Sequence, residues 1–357
     1  MSRTRWFQIA VVSAAMAAAC IPAPAWLVDG VYVTQFFPRL QSWLTGATNH
    51  VPFAALDVLL VAAAAWATWG VVTVARAGKG KRLSTFWRWE WRCATALAGA
   101  YLIFLVNWGL NYQRRPVSAS LDYQEARITA DGVRAFARRA LQEVIDSRAA
   151  LGDGPLEAVP RLAVAARLEV AFRETARILG VPGDVSAGVP KLSILDPFYT
   201  RTGVSGMTDP LFLETFLASN LLPHELPVVL THEWGHLAGF ARESEASFFG
   251  WLVCVRGDER ARYSAWLSML LRAASSLGRD ERSAFRKRLP QPVLNDLEAS
   301  RRRDERDLVR FATKVSRRAY DRYLKANRVE GGIRNYEEVL QLVVGTRFDA
   351  DWIPVRH

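Results

Sequence analysis

His232-Glu233-Trp234-Gly235-His236 is an HExxH motif in a chain that has five histidines. On a helix, residues i and i+4 lie one turn apart on the same face, so both imidazoles reach one tetrahedral ion while the intervening acid projects beside it. Zinc takes His nitrogens at about 2.0–2.1 Å, and a catalytic site leaves one position for a water whose pKa falls to about 7. His232 and His236 are therefore predicted ligands of Zn2+, and Glu233 is the predicted general base. The competing reading of a bare motif is a coincidental surface pair.

The segment Arg242-Glu243-Ser244-Glu245-Ala246-Ser247 offers carboxylates for a third ligand. Glu243 and Glu245 are separated by about 200° around a helix, so only one of them faces the ion. The stripe Glu243, Ala246, Ser247, Gly250 is small apart from its acid, which suits close approach to the HExxH helix. Glu243 is accordingly the predicted third ligand, with Glu245 as the alternative, and Ser247 one turn on is placed to hydrogen-bond a ligating histidine. The longer pattern HExxHxxGxxH is matched through Gly239 but has Arg242 where the third His belongs, and a guanidinium does not ligate zinc. His224-Glu225 has Val228 four residues after its histidine and reads as a loop pair, while His50 and His357 read as solvated.

The elements that must position these residues are legible around them. Pro227 suits the first turn of a helix that begins in the apolar run 226–231. Gly239 is its predicted stop, and a second helix resumes at Ala241 through Phe248, Trp251 and Leu252. Short apolar runs at 191–195, 203–207 and 212–217, separated by Gly, Pro and Asp, predict a small sheet just before the motif, whose edge strand is suited to pairing with an extended peptide. Thr129 is a predicted cap for a helix through Val133, Phe136, Ala137, Leu141 and Val144, and residues 167–179 repeat that spacing. The fold class is mainly α with a small β-sheet.

Half of the residues are hydrophobic, 13 are Trp, and the net charge is +11. The apolar residues concentrate in the first third. Residues 6–28, 51–75 and 93–110 approach or exceed the roughly 20 apolar residues that cross about 30 Å of hydrocarbon, so three transmembrane helices are expected in a membrane region at 1–111. Arg76, Lys79, Lys81, Arg82, Arg88 and Arg92 crowd the second connection, whereas Arg39 stands alone in the first. The basic loop is therefore expected in the cytoplasm, and residues 112–357 outside it as one domain. Pro22, Pro24 and the Ala-rich core of the first stretch equally fit a cleaved signal peptide, and Cys20 a weak lipidation site. Asp57 is expected near the outer interface in a structural role. Cys254 is the only cysteine in the outer domain, so no disulfide framework supports it. The Arg-rich stretch 279–310 is interrupted by Asp304, Glu305 and Asp307, which points to a solvated face or anionic lipid and excludes a nucleic-acid partner.

Across nearly its whole length the chain resembles the uncharacterised bacterial membrane family DUF3810, whose members pair N-terminal spans with an HExxH domain. The resemblance is carried by Thr202-Gly203-Val204-Ser205-Gly206, by Leu226-Pro227 through His236, and by Gly239-Phe240-Ala241-Arg242-Glu243-Ser244-Glu245-Ala246-Ser247-Phe248. A weaker echo lies in Tyr323-Leu324-Lys325, Gly332-Ile333 and Tyr336. Members typically have Asn where Ser247 stands and a Phe-Tyr-rich strand in place of residues 207–217. The wider resemblance is to gluzincin peptidases, in which a Glu four residues before an Asp or Asn ligates the metal, a pattern that maps onto Glu243 and Ser247. It implies N-terminal transmembrane helices followed by a zincin-like metallopeptidase domain. The expectation is a zinc metallopeptidase in the bacterial cytoplasmic (inner) membrane, multi-pass, with its catalytic domain on the extracytoplasmic side. Its partners would be a peptide or protein substrate and the lipid bilayer. Tyr323 and Tyr336 are candidate oxyanion donors. The alternatives are a zinc amidase acting on cell-wall peptides and a non-catalytic membrane scaffold with a structural or degenerate metal site.

Overall fold

A proline lacks the N–H that continues a helix, and Pro22 and Pro24 end the first one. In a computed structural model, which describes residues 3–327 and 338–357, α1 runs Arg3–Cys20. The chain then bends by 102° into a helical arm, Ala25–Asn49. The arm contains a π-helical stretch, Val28–Phe36, and finishes as α2, Phe37–Asn49. Residues 6–28, expected as one span, are thus divided between two directions.

Helix α3, Ala55–Arg76, matches the expected second span and is the one helix among the described residues that is by itself long and apolar enough to cross a membrane. The third expected span, 93–110, is the later part of a longer helix, α4, Arg82–Asn107. Arg82, Arg88, Glu90 and Arg92 occupy its early turns, and its uncharged part is shorter than the roughly 20 residues a crossing needs. Three expected spans therefore reduce to one helix that qualifies alone and one bent pair. Trp89 of α4 sits 4.5 Å from Trp66 and 5.6 Å from Trp69 of α3. Gly70 makes the room, since a Cβ there would fall 1.9 Å from the Trp89 ring.

The remainder is mainly helical. Thr129 caps α5, Ala130–Ala150, by accepting from the Gly132 N–H at 3.0 Å, as its sequence position predicted. Helix α6 spans Arg161–Ile178. The sheet is small, with β1 Pro190–Lys191, β2 Gly206–Thr208 and β3 Thr215–Leu217 in the order β1-β3-β2, β1 parallel and β2 antiparallel to β3. Its strands are shorter than the apolar runs that predicted them. Residues 193–196 turn back on themselves to start α7, Asp196–Thr202, and the Asp209 carboxylate binds the N–H groups of Leu211 and Phe212, converting the start of the third run into a turn.

After the sheet come α8, Leu226–Leu237, α9, Glu243–Val255, and α10, Glu259–Ser275. Helices α11, Arg279–Arg288, α12, Gln291–Asp307, α13, Arg310–Ala326, and α14, Glu338–Gly345, complete the chain. The core gathers Phe172, Trp234, Phe249, Trp251 and Trp266 between α6, α8, α9 and α10. Burying aromatics of this size supplies much of the apolar area that holds helices together.

The arm is tied into this domain by polar side chains. Gln41 exchanges two hydrogen bonds with the Ser186 backbone, at 2.8 and 3.0 Å, and Asn49 bonds the Ala187 carbonyl and the Val189 N–H. Each amide acts as a segment of backbone would, satisfying donors and acceptors that no strand partner reaches. Lys191 and Glu214 form a buried ion pair at 2.7 Å, and Lys191 also donates to the carbonyls of Thr48 and Phe53. Asp57, in the first turn of α3, accepts from Ser193 Oγ at 2.6 Å and from the Ile194 N–H at 2.9 Å. The sheet is therefore fastened to the start of α3.

Candidate metal centre

Two helices bring the motif residues together. Pro227 lies in the first turn of α8, and the helix stops where Gly239 takes φ +89°, a left-handed conformation that costs glycine little. The Phe240 N–H then returns to the Gly235 carbonyl at 3.1 Å, and that of Gly239 to His236 at 2.8 Å, closing the helix end. Reversed by this turn, α9 runs antiparallel along α8. Their contact relies on glycine from each side. A Cβ on Gly235 would lie 2.8 Å from the Ala246 carbonyl oxygen, and one on Gly250 would lie 2.7 Å from the His232 nitrogen.

Close approach delivers Glu243 to the histidines. One ligand atom from each of His232, His236 and Glu243 lies within 4.8 Å of the others. Glu243 Oε2 is 3.1 Å from His232 Nε2 and 3.6 Å from His236 Nε2. Both Nδ1 atoms are engaged elsewhere, that of His232 by Ser247 Oγ at 3.1 Å and that of His236 by the Phe240 carbonyl at 2.8 Å. A carbonyl can only accept, so His236 carries a proton on Nδ1 and presents Nε2 to Glu243.

These residues fit a divalent cation. Glu243 Oε2 is buried, and only the two imidazole Nε2 atoms face it; neither is aligned to give it a regular hydrogen bond. The separations of 3.1 and 3.6 Å bracket the spacing of about 3.3 Å between neighbouring ligands held tetrahedrally at about 2.0–2.1 Å from zinc. Without an ion, burial opposes the charge on Glu243, but the two imidazoles outweigh it and hold the carboxyl well below the usual carboxylate range. Burial likewise opposes charge on His236, and Glu243 with Glu233 overrides it, raising the imidazole to about 9.

Glu233 occupies a different environment. Its side chain is buried beside β2, where Thr208 Oγ1 donates to Oε2 at 2.9 Å. Gly206 allows the strand to lie this close, because a Cβ there would stand 2.6 Å from Glu233 Oε1. Burial pushes its carboxyl up, against the pull of His232, His236 and Thr208. A carboxyl shifted upward by burial is a stronger base than a solvated one.

The other residues singled out in the sequence fall away from the cluster. Glu245 points elsewhere, accepting from the Val117 N–H at 2.8 Å. His224 is buried against Ser300 Oγ at 2.9 Å, and Glu225 pairs with Arg303, so this second His-Glu pair ties α12 to the loop before α8. His50 and His357 are exposed. Tyr323 donates no bond to the cluster; its hydroxyl meets that of Tyr112 at 3.4 Å. Tyr336, with Gly332 and Ile333, lies outside the described residues.

Sequence reasoning missed Tyr320, whose hydroxyl donates a short hydrogen bond to Glu243 Oε1. Its signal was the spacing of three to Tyr323, with which it stacks at 5.9 Å on one helix face. Trp108 was also missed; just past the end of α4, its ring meets that of His236 edge-on at 5.7 Å. Because Ser247 orients His232 through Nδ1, Ser247→Ala is expected to weaken zinc affinity by about 10–100-fold with little change in folding, measured by competition with a fluorescent chelator.

The family model described as a protein of unknown function, DUF3810, matches residues 32–344. That range includes most of the arm, both motif helices and α13. No curated protein and no solved structure matches the chain.

Proposed function

We propose that this chain, which belongs to the DUF3810 family, is a membrane-anchored zinc metallopeptidase of the gluzincin kind. The observation that carries the reading is the convergence of two imidazole Nε2 atoms on one buried carboxylate oxygen, with a second buried carboxyl, Glu233, beside them. His232, His236 and Glu243 would hold the ion. When bound, zinc polarises a carbonyl oxygen and acidifies water.

The chain's own groups supply the rest. Glu233 takes the proton from the attacking water and returns it to the leaving amine, and Thr208 keeps its carboxyl aimed. Edge strand β2 provides a place for an extended substrate. The N–H groups of Asp209 and Ala218 bond the carbonyls of Glu214 and Ser205, so residues 205, 207 and 209 face β3. In an antiparallel ladder the alternate residues, Gly206 and Thr208, turn their backbone groups to the free edge. A peptide added there lies beside Glu233 and is recognised by its backbone.

The finer topology belongs to the same proposal. Arg76 ends α3, and Lys79, Lys81 and Arg82 follow it, which favours a cytoplasmic position for that end. Asp57 binds Ser193 at the other end of α3, which supports an extracytoplasmic domain at the inner membrane. α4 packs back on α3 through Trp89, Trp66 and Trp69, so, although its uncharged part is too short to qualify as a span alone, it would return the chain to the domain side beside α3, with α1 alongside.

The test is hydrolysis of a peptide library by the full chain in lipid nanodiscs, before and after removal of metal with 1,10-phenanthroline. Cleavage is expected to fall by at least about 100-fold and to return when zinc is restored. Unchanged cleavage by protein shown to be metal-free contradicts the proposal.

A further inference from the structure

The two basic helices α12 and α13 use their charges differently. On α12, Arg301 and Arg302 pair with Glu298, Arg303 with Glu225, and Arg306 with Asp307. Helix α13 carries Arg310, Lys314, Arg317, Arg318, Arg322 and Lys325, and among the described residues only Lys325 has a carboxylate partner, Asp321. Beside these cations runs an exposed stripe at i, i+4 and i+8. Phe311 is 78% and Val315 48% exposed, followed by Ala319.

The opposite face of α13 does other work. Leu324 is buried, Tyr320 bonds Glu243, and Tyr323 packs on Phe104 of α4 at 6.3 Å. At the other end of α13, the Val309 N–H bonds the Arg201 carbonyl at 2.9 Å, in α7, and α7 follows the two residues that bind Asp57 of α3. Helix α13 is thus strung between the domain-side ends of α3 and α4. Leu192, Ile194 and Phe198, all exposed, continue the apolar surface of α3 toward α7, which packs against α13.

We propose that α13 is a membrane-surface helix, with Phe311 and Val315 sunk into the headgroup layer and its arginines held by anionic phospholipid, while its inner face caps the metal centre. A helix with an apolar stripe and basic flanks lies in the interfacial plane, and each Lys or Arg near an anionic surface adds to the attraction. Long arginine stems reach headgroups while covering apolar surface. The charge match and the continuity with α3 select a lipid bilayer as the occupant of this stripe. The inference rests on α3 crossing the membrane, and it does not depend on peptidase activity.

Depth-dependent quenching tests it on the full chain. With Cys20 and Cys93 replaced by Ala and the buried Cys254 retained, a fluorophore is attached at Val315→Cys, at Leu59→Cys in α3, or at exposed Arg138→Cys in α5. Vesicles contain doxyl-labelled lipid in phosphatidylcholine with or without phosphatidylglycerol. In the anionic vesicles the probe at 315 is expected to be quenched at least about threefold more than the probe at 138, approaching the probe at 59. Adding R318E and R322E should return it to the level at 138. Quenching at 315 no greater than at 138, with the probe at 59 quenched, overturns the proposal and leaves the spanning helix intact. An unquenched probe at 59 overturns both, and quenching at 315 that ignores R318E and R322E overturns the anionic attachment.

Discussion

Glu233→Gln is expected to lower kcat/KM for peptide cleavage by about 1,000-fold while zinc content and thermal unfolding stay at wild-type values. The substitution keeps the shape of the side chain and removes its basicity. The amide oxygen of Gln still accepts the Thr208 hydroxyl bond that holds Oε2 at 2.9 Å, and the space left by Gly206 is filled as before. What disappears is the carboxylate that, on the proposed mechanism, would take the proton of the attacking water. Burial raises the Glu233 carboxyl and so strengthens it as a base, and a neutral amide has no counterpart to that effect. A variant that cleaves at the wild-type rate would remove Glu233 from the chemistry.

Gly250→Val should be the most damaging single change to the site's architecture. Its Cβ would lie 2.7 Å from the His232 nitrogen, 2.9 Å from the Thr231 carbonyl carbon and 3.0 Å from the His232 Cα. All three are backbone atoms, so no flexible side chain can yield, and α9 must move away from α8. Overpacking of this kind costs about 3 kcal/mol, which lowers the unfolding temperature by about 6–12 °C in a domain of this size. Glu243 withdraws with α9, so zinc binding should fall as well. Gly46→Ala is the control, since nothing lies within 4 Å of a Cβ there and alanine favours the helix. If Gly250→Val keeps both its unfolding temperature and its zinc, the glycine contact is not what presents Glu243 to the histidines.

The His232, His236 and Glu243 cluster was largely legible because it is local. His232 and His236 are one helical turn apart, and the small stripe from Glu243 to Gly250 foretold close packing; the reciprocal glycines now account for it. Ser247 reaches His232 as the spacing implied. Choosing Glu243 over Glu245 from angular position agrees with where the two acids point, one to the cluster and one to Val117. Gly239 ends α8 with the positive φ that its type predicted.

Long-range contacts were not legible. Nothing local says that Tyr320, 77 residues from Glu243, bonds it, or that Trp108 meets His236. The arm at 25–49 was hidden for another reason. Its apolar and aromatic residues blend with those of the first helix in composition, and the prolines that bend the chain by 102° read equally well as a signal-peptide end. Gln41, Thr45 and Asn49 recur every four residues on one face of α2, a polar stripe that the structure shows to be hydrogen-bonded to residues 186–189 and 213. The apolar length of residues 93–110 overstated a span because α4 starts in charged sequence and ends at Asn107.

Zinc content per chain in Glu243→Ala beside Glu245→Gln, after equilibration with the metal and desalting, tests the central claim most directly. Wild type and Glu245→Gln are predicted to hold about one zinc each, and Glu243→Ala less than about one tenth. A Glu243→Ala protein that retains a full equivalent, or a wild type that binds none, contradicts the account.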